Sequence, residues 1–333
     1  FSSFESIPGP LMRSCLITLE NCQIERESMA VSSAIVTLLK TPVPPDASGG
    51  TRDVSYVIPC CMKRTDLSTI SVAAACVPFS CDMRLVRTMM NGFSFNPSSS
   101  SSIAVSEIAI DAMIRQADRE DRKRNEVKKT MWSSKQLWSE MFPRILLRAQ
   151  IREHYDEDEF ERYRRAYLRD ASERACSALG LTETLNHLYR TVCTTSDWRV
   201  AESCMFVLWS VAYEISKNIS KSDELIQLLN RIVRIDRTVD VRFIKMTAML
   251  MGSLNRWLGT NAKDLLCNTL LVWILQQLKQ PSKLVVVEYV AKTLGSWTCN
   301  QTCLDALCQT RARDIVPVRG CSYYFFSAVT MLT

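Results

Sequence analysis

The sequence predicts an all-α chain in which antiparallel helix pairs stack in series. Three segments open at equivalent points, Trp198-Arg-Val-Ala-Glu, Val241-Arg-Phe-Ile-Lys and Leu284-Val-Val-Val-Glu, so a helical pattern recurs every 42–43 residues. Val200, Phe243 and Val286 correspond at this offset, as do Leu208, Met251 and Leu294, and Gly252 falls on Gly295. Each opening helix is followed by a second amphipathic stretch: Ser222–Ile235, Ala262–Lys279 and Thr302–Ile315. Almost no segment alternates with period two over a useful length, which removes the strand alternative. Two helices per unit with a period in the forties is the mark of HEAT or armadillo solenoids. Such units bury their apolar faces only against neighbours and leave long concave surfaces free for partners.

The remaining elements follow from local chemistry. Pro10–Asn21 and Glu27–Lys40 read as a helix pair, with Leu11, Cys15, Ile17 and Leu19 on the apolar side of the first. Thr41–Gly50 carries three prolines and two glycines and reads as a loop. Val54–Asn91 is helical but weaker, with breaks expected at Pro59 and Pro78. Asn96-Pro97 and the serine run after it read as a second loop over 94–102. Ile103–Lys129 starts apolar and becomes densely charged, and Trp132–Gln150 is amphipathic again through Trp138, Phe142, Ile145 and Leu146. The acidic stretch Asp156–Glu161 opens a helix that runs to Leu179 and is closed by Gly180, matching the macrodipole and the C-cap preference. Thr182–Val192 is its short partner, and Ser196-Asp197 caps the Trp198 helix. The expected organisation is therefore repeats with a proline-rich insertion over 1–93, the serine-rich loop, HEAT repeats over 103–316, and a non-repeat tail over 317–333. That tail, Gly320-Cys-Ser-Tyr-Tyr-Phe-Phe onward, is too apolar for the polar outer face of a terminal repeat. With Phe1 at its head, the chain reads as part of a longer protein.

Composition narrows the function classes. A net charge of +6 with mixed signs is not the clustered footprint of a nucleic-acid binder. Fourteen cysteines, scattered through helical apolar stretches such as those of Cys176, Cys204 and Cys267, read as small hydrophobes in a reduced intracellular protein. No apolar run reaches the roughly 18 residues of a membrane span, so membrane insertion is not expected.

Reactive chemistry is sparse. The only histidines are His154 and His187, nothing resembles a Ser-His-Asp or Cys-His arrangement, and nine glycines form no phosphate-cradling loop. No catalysis, cofactor or metal is expected. Cys299, Cys303, Cys308 and Cys321 are the strongest metal candidates, but their second pair is 13 residues apart, far from structural zinc spacing. His154 beside Asp156–Asp158 lacks the ligand order of a calcium loop. Arg115–Lys129 holds seven bases against four acids with no aromatics to stack bases, which favours an exposed helix laced with ion pairs. A sharper candidate is Ser222–Ile235. Leu225, Leu228, Leu229 and Ile232 make its core stripe, while Gln227, Arg231 and Arg234 share a polar face. As the second helix of a repeat it would line the inner surface, and Arg311 and Arg313 occupy a comparable place in the last second helix. A plain solvated face is the bland alternative for all five.

Residues from about Tyr155 to Val316 resemble the middle of a karyopherin-β nuclear transport receptor, closest to the transportin-SR and importin-thirteen branch. The likeness rests on an ordered series. It comprises Asp156-Glu-Asp-Glu-Phe-Glu-Arg-Tyr-Arg, Leu185-Asn-His-Leu-Tyr-Arg, Trp198-Arg-Val-Ala-Glu-Ser-Cys-Met-Phe-Val-Leu-Trp-Ser-Val-Ala, Thr238-Val-Asp-Val-Arg-Phe, and Pro281–Gly295 with Val290-Ala-Lys-Thr-Leu. Pro10–Leu39 fits an earlier repeat more loosely. Arg199 stands where relatives often carry an acid, and the repeats that engage Ran and the arginine-rich cargo helix have no counterpart among these residues. The resemblance implies a receptor shuttling between nucleus and cytoplasm. Its partners would be protein cargo (Arg/Ser-rich proteins among the candidates), the Ran GTPase and Phe-Gly nucleoporins, with no direct nucleic-acid contact. The main rival is a HEAT scaffold of another multiprotein complex, and a second is a zinc-dependent enzyme built on Cys299, Cys303 and Cys308.

Overall fold

The computed structural model describes residues 15–19, 21, 25–40, 57–61, 66–79, 83–93, 102–122, 134–151, 156–235, 240–278 and 284–308. Among them every regular element is helical and none is a strand, so the chain is all-α. The loops expected over Thr41–Gly50 and 94–101, the tail after 317, His154 and Cys321 lie outside the described residues, as do Arg311 and Arg313. The chain divides into two units between Leu179 and Gly180, a boundary different from the serine-rich segment at which the sequence suggests a division. Gly180 alone among the described residues has a left-handed backbone, at φ 93°, where a side chain would be strained.

In unit 1 the helices are α1 (Glu25–Lys40), α2 (Ile58–Cys61), α3 (Leu67–Cys76), α4 (Met83–Phe93), α5 (Ser102–Arg122), α6 (Lys135–Ala149), α7 (Glu157–Tyr163) and α8 (Arg169–Leu179). Helix α3 is the hub, packing on α1, α4 and α5, and α6 packs on α8. The middle of α3, with Ile70, Val72 and Ala73 fully buried and the Ser71 hydroxyl donating to the Leu67 carbonyl at 2.6 Å, suits that place. Pro59 does not interrupt a helix but sits in the first turn of α2, where its missing N–H costs nothing, and Pro78 lies in the 3-10 turn Val77–Phe79 that ends α3. Pro143 is accommodated inside α6. Starts are set by side-chain caps: Asp66, Ser134 and Asp156 accept the N–H groups of Thr69, Leu137 and Glu159 at 2.9, 3.1 and 2.9 Å. The charged half of α5 is tied by ion pairs, Arg115 to Asp111 at 2.8 Å and Arg174 of α8 to Asp118 and Asp121.

Unit 2 holds α9 (Leu181–Thr194), α10 (Trp198–Ser210), α11 (Ala212–Asn218), α12 (Asp223–Ile232), α13 (Val241–Ser253), α14 (Asn255–Asn261), α15 (Lys263–Leu265), α16 (Leu271–Leu278) and α17 (Leu284–Cys299), followed by a helical stretch over 301–308. Helix α13 packs on α10 and on α17, α9 packs on α12, and α11 on α14. The helices that open successive sequence repeats therefore neighbour one another, as do the elements that follow them. The repeat reaches the backbone: α10 breaks at Val211 (φ −105°, ψ 11°) and α13 at Leu254 (φ −87°, ψ 9°), 43 positions apart. Sequence periodicity alone carries each opening helix straight through this point. Two π turns, Arg164–Leu168 before α8 and Leu266–Leu270 before α16, are likewise invisible to a 3.6-residue pattern.

Candidate partner-binding surface

Helix α12 is built as its sequence suggests. Ser222 caps it, accepting the Leu225 N–H at 3.1 Å, and its hydroxyl donates to Glu224 at 2.9 Å. Glu224's own backbone N–H and that Ser222 hydroxyl hold its carboxyl below the usual range. Leu225, Leu228, Leu229 and Ile232 are buried, and the helix packs against α9. Gln227, Arg231 and Arg234 are exposed. Arg234 lies in the turn after the helix, its backbone N–H bonded to the Arg231 carbonyl at 3.1 Å. Three of the five candidate positions are thus exposed, but the helix expected to run to Ile235 ends at Ile232, so only Gln227 and Arg231 share a helical face. Two guanidinium groups without a carboxylate partner among the described residues can clasp carboxylate or phosphate groups through paired N–H donors.

A second row of groups was not singled out by the sequence reading. Arg242 of α13 lies 5.7 Å from the ring centroid of Trp198 on α10, and Arg199 lies 5.6 Å from the same ring. Lys245 of α13 lies 5.2 Å from the Tyr289 ring of α17, with Lys292 5.4 Å from it. One helix thus offers a cation to an aromatic ring on each neighbour, an attraction of about 0.5–1 kcal/mol at exposed sites. Asp240 caps α13 through the Arg242 N–H at 2.9 Å and clasps the Arg242 side chain at 2.9 and 2.8 Å. The Arg242 hydrogen bond holds its carboxyl below the usual range, against the opposing pull of burial. Arg199 and Arg242 are equivalent in the repeat, but Trp198 falls on Val241 and Tyr289 on Met246, so the sequence carries no recurring ring to signal the row.

Among the described residues, Cys299, Cys303 and Cys308 do not gather into a donor set. Cys303 is buried and its thiol donates to the Asn255 carbonyl at 2.7 Å, while Cys299 and Cys308 are exposed. Burial pushes the Cys303 thiol up to about 12. Among the described residues no three His, Cys, Asp or Glu side chains gather closely enough to hold a metal ion. Nor is any described helix long and apolar enough to cross a membrane. Burial raises the Cys76 and Cys204 thiols to about 12 as well. Alkylation of the native chain near pH 8 is therefore expected to modify Cys193, Cys299 and Cys308 and to spare Cys76, Cys204 and Cys303 until denaturant is added. Peptide mapping by mass spectrometry reads this, and rapid native labelling of Cys204 would contradict the packing of α10.

Compared with known proteins, the chain matches no family model and none of the curated proteins.

Proposed function

We propose that this chain is a HEAT-type solenoid segment of a nuclear import receptor of the karyopherin-β kind, a binding protein rather than a catalyst. The observation that supports it is the repeat in unit 2. Helices α10, α13 and α17 open equivalent 43-residue units, neighbour one another in order, and two of these units share a backbone break at the equivalent positions Val211 and Leu254. Stacked helix pairs of this kind leave a continuous face of second helices open to a partner. Gln227 and Arg231 lie on such a helix and Arg234 in the turn that ends it, and all three are exposed. In this reading the cargo contributes acidic or phosphorylated groups to them.

The transport role is tested by a pull-down with the intact protein, comparing Ran loaded with GTP and with GDP. Selective capture of the GTP form with release of bound cargo is the expected result, and capture indifferent to nucleotide would leave a scaffold of another complex. Arg231→Glu with Arg234→Glu is expected to weaken cargo binding at least about tenfold while leaving the melting temperature unchanged, because each buried charge-pair contact is worth about 1.5–3 kcal/mol and the residues are exposed in the free chain. Unchanged cargo affinity would remove this face from the binding surface.

A further inference from the structure

The two joints between successive opening helices of unit 2 are built from different chemistry. Where α13 breaks at Leu254, the carbonyls of its last turns lose the helical N–H groups that would satisfy them. Side chains of α17 supply replacements. Trp297 Nε1 donates to the Met251 carbonyl at 3.1 Å and Ser296 to that of Gly252 at 3.0 Å, while Thr293 adds a bond of 2.7 Å to the Ala248 carbonyl inside the helix. Asn255 donates to the Ser296 hydroxyl at 2.6 Å, and Cys303 to the Asn255 carbonyl at 2.7 Å, which draws in residues 301–308. Trp297 is fully buried, so its bond and that of Thr293 to Ala248 are shielded from competing water, while the Ser296, Asn255 and Cys303 bonds are half-buried.

The same positions one repeat earlier cannot do this. Thr293 corresponds to Leu250 and Trp297 to Leu254, neither of which carries a side-chain donor, and the counterpart of Ser296 is Ser253, which is exposed. The joint between α10 and α13 contains instead buried Leu250 and Leu254, a Thr247 hydroxyl on the Met205 sulfur at 3.2 Å, and the Arg242–Trp198 pair at its edge. Apolar and thioether contacts tolerate small sliding and rotation, because they have no preferred direction. Hydrogen bonds to fixed carbonyls weaken steeply when turned.

We infer that unit 2 bends at the joint between α10 and α13, and that α13, α14, α17 and residues 301–308 move as one block. The mechanics rests on the joints alone and stands apart from the receptor reading. The test places a ketone-bearing phenylalanine, carrying a nitroxide label, at exposed Tyr213, Arg256 and Thr298 of the full chain, leaving the native cysteines untouched. Pulsed dipolar spectroscopy then gives the distance distribution across each joint. The expected result is a distribution about twice as broad for the 213–256 pair as for the 256–298 pair, since curvature in stacked repeats is set joint by joint. Trp297→Phe, which keeps an aromatic ring but removes the N–H and the rest of the indole, is expected to broaden the 256–298 distribution and leave the other unchanged. Equal widths in the unsubstituted chain would overturn the inference. So would a 256–298 width that Trp297→Phe does not alter.

Discussion

Gly259→Ala is expected to destabilise unit 2 by about 1–3 kcal/mol, the usual cost of overpacking a filled interior. A methyl group there would lie 2.6 Å from the Cys303 nitrogen and 2.8 Å from both the Thr302 carbonyl carbon and its hydroxyl oxygen. Two of these atoms are backbone, so no rotamer change relieves the clash. Either α14 or the helical turn at 301–308 must retreat, and the Cys303 bond to the Asn255 carbonyl goes with it. Other glycines of the unit supply the contrast. Gly295 has nothing within 4 Å of the same construction, and Gly252 meets nothing nearer than 3.5 Å. Both lie inside helices, where alanine is favoured over glycine by about 0.5–1 kcal/mol. Gly295→Ala should therefore raise the urea midpoint and Gly252→Ala leave it level or raise it, while Gly259→Ala lowers it. Circular dichroism against urea reads all three, and a Gly259→Ala midpoint at or above the parent value would refute the close approach.

In unit 1 the largest single effect is expected at Arg148. Its side chain is 6% exposed, and its Nε donates to the Phe93 carbonyl at 2.6 Å. Arg144, one turn earlier, donates to the Met90 carbonyl at 2.9 Å. The two arginines of α6 thereby close the carboxyl end of α4, some 54–55 residues away in sequence. Cations at that end also meet the negative pole of the helix. Arg148→Met keeps the aliphatic stem and removes the charged donor, leaving the Phe93 carbonyl with only a long 3.5 Å bond from Ser106. A loss of about 1.5–3 kcal/mol is expected, the range for a hydrogen bond to a charged group. Arg144→Met, at a half-buried position, should cost less. A thermal melt in which both variants match the parent would show that the cap contributes nothing.

Much of this architecture is legible in sequence because burial follows a period. The stripe Leu225, Leu228, Leu229, Ile232 fixes which side of α12 faces the core, and hence that Gln227, Arg231 and Arg234 face solvent. Asp156, Asp197 and Ser222 mark helix starts because a cap needs only a residue type at one place. The breaks at Val211 and Leu254 are illegible, because valine and leucine carry no turn signal, and at Leu254 the freed carbonyls are met by groups 44 and 46 residues along the chain. Arg148 as a cap is hidden for the same reason: its partner is a carbonyl, and every residue has one. The cation–aromatic row is hidden too, since Trp198 falls on Val241 and Tyr289 on Met246 at equivalent positions, so no ring recurs.

The π turns change what the chain tolerates in length. Each of Arg164–Leu168 and Leu266–Leu270 accommodates one residue more than an α turn needs, with buried positions on both sides: Tyr163 and Ala171 around the first, Leu265 and Leu271 around the second. Removing a residue from regular helix rotates all that follows by about 100°, turning a buried stripe toward water. Removing one from a π turn lets the segment close to ordinary α geometry with both flanks in phase. These two short stretches are the places where the helices can shorten by one residue without losing their core.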